Sequence, residues 1–295
     1  MSVQREDVTE LPGMEPPAMG PTGRPQSDFA MPPILKSHGP ARIIALCNQK
    51  GGVGKTTTTI NLGATLAEYG RKVLAVDFDP QGALTAGLGV PAHDVVTIYD
   101  LLLGTARDPR EAIVHTLSSG LDVLPANIDL SAAEVHLVNE VAREQILARV
   151  LRPVSADYDV ILIDCQPSLG LLTVNALTAA HGVLIPLELE YFALRGVALL
   201  VETIEKVRDR LNPAIELDGI LATMYDPRTL HSREVLERVV EAFGDQVFET
   251  VIGRTVKFPD ASVAAAPITT FAPDHSAAES YRQLARELIA RGAVA

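Results

Sequence analysis

The most specific chemistry in the sequence lies in one short run, Lys50-Gly51-Gly52-Val53-Gly54-Lys55-Thr56-Thr57. Glycines let a backbone curl until several N–H groups converge on an anion. Lys55 offers a positive charge to the β- and γ-phosphates of a nucleotide, and the Thr56 hydroxyl suits a Mg²⁺ ion. Thr57 falls near the α-phosphate. The run departs from G-x-x-x-x-G-K-T at one place. Gln49 stands where the first glycine belongs, and Lys50 precedes a glycine pair. Two later carboxylates, Asp79 and Asp164, each follow an apolar run. Carboxylates at the carboxyl ends of parallel strands share one crevice, so both are candidates for the same site.

Such a loop works only between a strand and a helix N-terminus. The flanking residues supply both. Arg42 to Cys47 reads as a strand, and Thr58 to Tyr69 has helical spacing with Gly70 at the C-cap position. Further strands are expected at 72–76, 121–124, 160–163, 183–186, 219–224 and 247–251. Ser131 is expected to cap a long helix running to about Val150. A final helix over 277–290 places Tyr281, Leu284 and Leu288 on one face, which suits core packing. Short apolar strands alternating with amphipathic helices predict an α/β fold, doubly wound, with a mainly parallel sheet and helices on both faces. Residues 1–40 are proline-rich without periodicity and read as a disordered tail; 41–295 read as one P-loop ATPase domain.

The chain has 295 residues and a formal net charge of −12. That excludes a generally basic nucleic-acid coat, so DNA binding would need a local basic patch. Cys47 and Cys165 lie in or beside apolar runs without C-x-x-C spacing and read as buried core thiols. No apolar run approaches the ~18 residues of a membrane span, and no basic-then-apolar leader is present, so the expected compartment is the cytoplasm.

The run from Lys50 to Thr57 resembles the deviant Walker A motif of the ParA/MinD ATPases. Asn48-Gln49, the stretch from Asp77 to Gly82, the stretch from Asp159 to Gly170, Thr223 to Asp226 and Ala278 to Tyr281 are similar to the ParA/Soj branch. The resemblance spans roughly Ala41 to Arg291. It implies a homodimer that sandwiches ATP and Mg²⁺, with Lys50 reaching the partner's nucleotide. It implies that Asp79 positions the attacking water, and that Asp164 holds Mg²⁺ with Thr56. It places Asp77, like Asp79, near the metal. It implies nonspecific DNA and a ParB-like protein as partners, with association to the nucleoid. Arg228 and Lys257 fall where Soj-like proteins carry DNA-contacting arginines, and Arg254 is a further candidate. The loop from Gly253 to Lys257 lacks the family's usual proline-arginine-asparagine start. Two other readings share the loop. A MinD-like membrane-surface ATPase would need a separate terminal amphipathic helix. A reductase like the nitrogenase iron protein would need cluster cysteines, and neither Cys47 nor Cys165 is placed for that.

Overall fold

The computed structural model describes residues 18–91, 93, 95–191 and 193–295. In chain order the elements are β1 (Arg42–Leu46), α1 (Lys55–Glu68), β2 (Val73–Phe78), α2 (Ala83–Gly87), α3 (Ile98–Leu103), β3 (Val114–His115), β4 (Leu121–Leu124), α4 (Ala133–His136), α5 (Ile146–Leu151), β5 (Val160–Cys165), α6 (Leu171–Ala179), β6 (Gly182–Glu188), α7 (Ala193–Arg210), β7 (Glu216–Thr223), α8 (Leu230–Phe243), α9 (Lys257–Val263), α10 (Ile268–Phe271) and α11 (Ser276–Ala290). Among the described residues the strands form one sheet in the order β3-β4-β2-β5-β1-β6-β7. All pairings are parallel except β3 with β4.

The strands are apolar because both faces are covered. Side chains alternate along each strand. Ile43, Ala45 and Cys47 point into a core shared with α3, α5, α6, α7 and α8. Ile44 and Leu46 point into the opposite core, shared with α1, α10 and α11. The strands on either side of β1 are β5 and β6, so the loop leaving β1 opens at the switch point of the sheet, where ligand crevices form. Cys47 and Cys165 follow the paired positions Leu46 and Asp164; both are buried, with Sγ atoms 3.1 Å apart. Burial pushes the Cys165 thiol up, away from the reactive thiolate.

Three expectations are corrected. The long helix over 131–150 is instead a series of short turns and helices, α4 and α5 among them, interrupted where Ala142 adopts φ 53°. The cause is tertiary. Asn175 on α6 accepts from Leu147 N at 3.2 Å and donates to Arg143 O at 2.9 Å, so a neighbouring helix satisfies the backbone there. The stretch 247–251 makes a single isolated bridge, Val247 with Ile220, rather than a strand. The N–H groups of Glu249 and Thr250 donate to the buried Glu287 carboxylate at 2.8 and 2.9 Å, which replaces a strand partner.

The third correction concerns the tail. Its portion over 1–17 lies outside the described residues. Residues 18–40, however, lie against the domain. Arg24 Nη2 donates to Val247 O at 2.6 Å, and Ser27 bonds the Glu249 carboxylate through N and Oγ. The buried Arg71 donates to Pro33 O at 3.0 Å, and Asp159 accepts from Gly39 N while pairing with His38 at 2.7 Å. Proline-rich segments cannot build a core of their own, but donors and acceptors of a folded neighbour can hold them extended.

Candidate nucleotide site

Asn48 starts the loop by donating from Nδ2 to Pro186 O on β6 at 2.7 Å and accepting from Lys50 N at 3.0 Å. Gly52 and Gly54 then adopt φ 77° and 87°, the left-handed region open to glycine at little cost. Gly54 caps α1 without any side-chain acceptor, which leaves the first N–H groups of the helix to face an anion. Thr223 at the end of β7 donates to Val53 O at 2.9 Å and pins the far side of the loop.

Lys55 is buried and arches back over the loop, its Nζ donating to Lys50 O at 3.1 Å. Burial lowers its pKa, and the nearby Asp164 charge opposes that. Thr56 Oγ1 donates to Asp164 Oδ2 at 2.6 Å. The other oxygen, Asp164 Oδ1, is buried without a hydrogen-bond partner among the described residues. Burial pushes the Asp164 carboxyl up to about 8, and the Asp77 charge adds to this. An orphaned carboxylate oxygen beside a threonine hydroxyl is the donor set a hard divalent cation fits. A cation there would favour the ionised form and so oppose the desolvation that raises the pKa.

Asp79 is half-buried at the end of the next strand and accepts from Gln81 N at 3.0 Å. Its charge acts on Lys55, Asp77 and Asp164, which places it at the rim of the same centre. Asp77 has a different job. Its Oδ2 accepts from Thr85 N at 2.8 Å and Thr85 Oγ1 at 2.6 Å, and its Oδ1 accepts from Asp79 N at 3.3 Å. Both oxygens are used to shape the loop carrying Asp79. Burial raises Asp77 to about 6.

Beside Gly54 and Thr57 lies a cavity of about 430 Å³ whose walls include Met224, Arg254, Phe258 and Pro259. Tyr281 stacks edge-on against Phe258 at 5.8 Å and meets Thr58 Oγ1 at 3.2 Å, which fixes this wall. A flat heterocycle fits an apolar slot of this kind next to a phosphate loop. Sequence reasoning did not locate this cavity because its walls come from segments about 170 residues or more beyond the loop. The left-handed Met224, at φ 53°, is a signal no sequence pattern carries.

A family model described as an AAA domain matches residues 41–217. The chromosome-partitioning ATPase Soj of Treponema pallidum is 49% identical over 253 residues, covering 85% of this chain and 98% of that protein. The chromosome partitioning protein ParA of Caulobacter vibrioides is 45% identical, covering 86% and 96%. The chain belongs to the ParA/Soj family of ATPases. An uncharacterized protein of Mycobacterium tuberculosis is 61% identical to this ParA/Soj-family chain over 274 residues, covering 92% of the chain and 86% of that protein. Among solved structures, cobyrinic acid a,c-diamide synthase of Mycobacterium smegmatis with bound ADP and magnesium aligns at TM-score 0.76 and 42% identity, covering 86% of this chain and 96% of that one. The cell division ATPase MinD of Pyrococcus furiosus aligns at 0.71 and 29%, covering 85% and 99%.

Lys50 does not enter its own phosphate cradle. Its side chain is 48% exposed and its Nζ pairs with Glu188 at 2.9 Å and Glu190 at 2.6 Å. Of the basic candidates, Arg228 and Arg254 sit on two adjoining loops, joined where Arg254 N donates to Tyr225 O at 3.1 Å, and Lys257 opens α9 just after the second. Each faces an acid of the same chain in this ParA/Soj-family ATPase. Arg228 holds Asp226 at 2.9 and 2.8 Å, Arg254 approaches Glu188 at 3.5 Å, and Lys257 approaches Asp260 at 3.6 Å.

Proposed function

We propose that two copies of this chain pair around ATP and Mg²⁺, bind DNA without sequence preference in that state, and let go on hydrolysis stimulated by a ParB-like protein. The observation that carries this reading is the placement of Lys50. Lys55 already occupies the cradle of its own subunit, and a second, half-exposed lysine displayed outward is suited to another subunit's nucleotide. The Soj and ParA names of the relatives support a partition role, and the ADP and magnesium of the M. smegmatis structure support the cofactors.

In this reading the loop N–H groups and Lys55 hold the phosphates, and the base enters the slot at Met224 and Phe258. Thr56 and Asp164 hold Mg²⁺, which offsets charge on the phosphates. Asp79 orients the attacking water. Lys50 of the second copy adds positive charge where negative charge builds in the transition state. Arg228 and Lys257 meet DNA phosphates, which replace their acidic partners on the subunit, and Arg254 adds charge to the same face from beside Glu188. Contacts to backbone phosphates carry no sequence information and weaken steeply with salt.

The apolar face of α11 is spent in the core, where Tyr281, Leu284 and Leu288 are buried, so this helix does not offer a membrane surface. Among the described residues no helix is long and apolar enough to cross a membrane.

The test is retention on a nonspecific DNA duplex at low salt, with ATP, with ADP and without nucleotide. Retention in ATP alone is expected. The double change Arg228→Glu and Lys257→Glu should abolish it while leaving ATP binding intact. No retention by the parent, or undiminished retention by the double variant, overturns the DNA reading.

A further inference from the structure

Lys50 is held by a small built structure. β6 ends at Glu188, and Glu190 N donates to Glu188 O at 2.9 Å. Ala193 N then donates to Glu190 O at 2.9 Å as α7 begins. This tight turn presents two carboxylates on the side facing the phosphate loop. Asn48, at the loop's start, is tied to β6 at Pro186 O, two residues before Glu188. Lys50 therefore has a fixed base and fixed acceptors, 2.9 Å to Glu188 and 2.6 Å to Glu190. A cavity of about 280 Å³ between Asn48, Val53, Ala193 and Gly196 gives its stem room to swing. Partial burial lowers the Lys50 pKa, but the hydrogen bonds to Glu190 and Glu188 outweigh that and hold it above its ordinary value.

The arrangement also provides for the lysine's departure. Glu188 Oε1 approaches Arg254 Nη2 at 3.5 Å, while its Oε2 holds Lys50. When Lys50 leaves, Arg254 still neutralises Glu188, and the largely exposed Glu190 returns to water. Neither carboxylate is left buried and unpaired, the outcome that makes breaking an ion pair costly. Exposed pairs of this kind are weak, so the grip is one that a competing phosphate can break.

We propose that Glu188 and Glu190 are positioning residues that dock Lys50 on its own subunit, and that ATP-dependent pairing requires the lysine to leave this dock for the second copy. The inference rests on the reading that two copies pair around ATP, and it adds what opposes that pairing. In the single subunit the lysine is parked beside its own loop. In the pair it is exchanged for the partner's phosphates. The two carboxylates thus set the nucleotide-dependent threshold for assembly.

The experiment compares the full chain with Glu190→Gln and with Glu188→Gln/Glu190→Gln, all in Mg²⁺ and a non-hydrolysable ATP analogue. Pairing is followed by analytical ultracentrifugation. The double variant is expected to pair about three- to tenfold more tightly than the parent, and Glu190→Gln by a smaller factor. ADP affinity of the single subunit should stay within about twofold. A second measurement reads the dock directly. The acylation rate of Lys50 in the nucleotide-free chain, mapped by mass spectrometry, should rise several-fold in the double variant. A general loosening of the fold would instead raise labelling at all lysines alike. If the parent pairs but the double variant pairs no more tightly, or Lys50 labelling does not rise selectively, the dock is overturned. If the parent itself fails to pair, the reading of ATP-driven assembly falls, and the role claimed for the dock falls with it.

Discussion

Lys55 and Lys50 stand five residues apart on one loop, yet the fold treats them oppositely. Lys55 is buried, its pKa lowered by desolvation, and aimed back over its own loop. Lys50 is half-exposed, its pKa raised by two carboxylates, and aimed outward. The same contrast divides the acids. Asp164 is fully enclosed beside Thr56, while Asp79 sits at the rim. An enclosed inner set thus sits beside a more exposed outer set. The inner set follows from packing within one chain. The outer set is the part that the proposed pairing of two copies would use.

This division can be broken by substitution, and the largest effect is expected at Lys55. Lys55→Ala should weaken ATP binding by about two orders of magnitude, because a charge-assisted contact is lost and Asp164 keeps no cation nearby. Titration with a fluorescent ATP analogue measures this; near-parental affinity would dissolve the inner set. Next is Asp79. Asp79→Ala should leave ATP affinity within a few-fold of the parent but lower phosphate release by about 100-fold. Normal turnover would remove Asp79 from the outer set.

A smaller effect sharpens the electrostatics of the inner set. Burial pushes the Asp164 carboxyl up to about 8 in the folded chain, against an ordinary value near 3.8. The folded state therefore binds more protons between those values, and stability should fall as pH rises through that window. Melting temperature in a chelator should be lower at pH 8 than at pH 5, and Asp164→Asn should flatten the dependence. Added Mg²⁺ should restore part of the loss at pH 8 in the parent alone. A pH dependence that Asp164→Asn leaves unchanged would remove Asp164 as its source.

The loop and its lysines were legible because their spacing is local. A strand, a glycine curl, Lys55, Thr56 and a helix follow one another within a few residues, and each has one geometry in which it works. The strands were legible for a similar reason, since burial on both faces demands unbroken apolar runs. The extended stretch 247–251 was misread because a strand and a segment bonded to Glu287 carry the same apolar pattern. The broken helix over 131–150 was misread because its interruption is enforced by Asn175, a residue on another element. The segment 18–40 lacks periodicity, and its order depends on Arg71 and Asp159, which lie far from it in sequence.

By itself the sequence determined the phosphate loop, the parallel sheet that carries it, and the set of charged residues available to the site. Each of those is fixed by residues near one another in the chain, through hydrogen-bond geometry and the burial of alternating faces. The tertiary structure alone decided which acid each base meets. It gave Asp77 to Thr85, left one Asp164 oxygen without a partner among the described residues, walled the cavity beside Gly54 with Met224 and Phe258, and parked Lys50 between Glu188 and Glu190. Those partnerships span more than one element, and side-chain charge acts through space without regard to order in the chain.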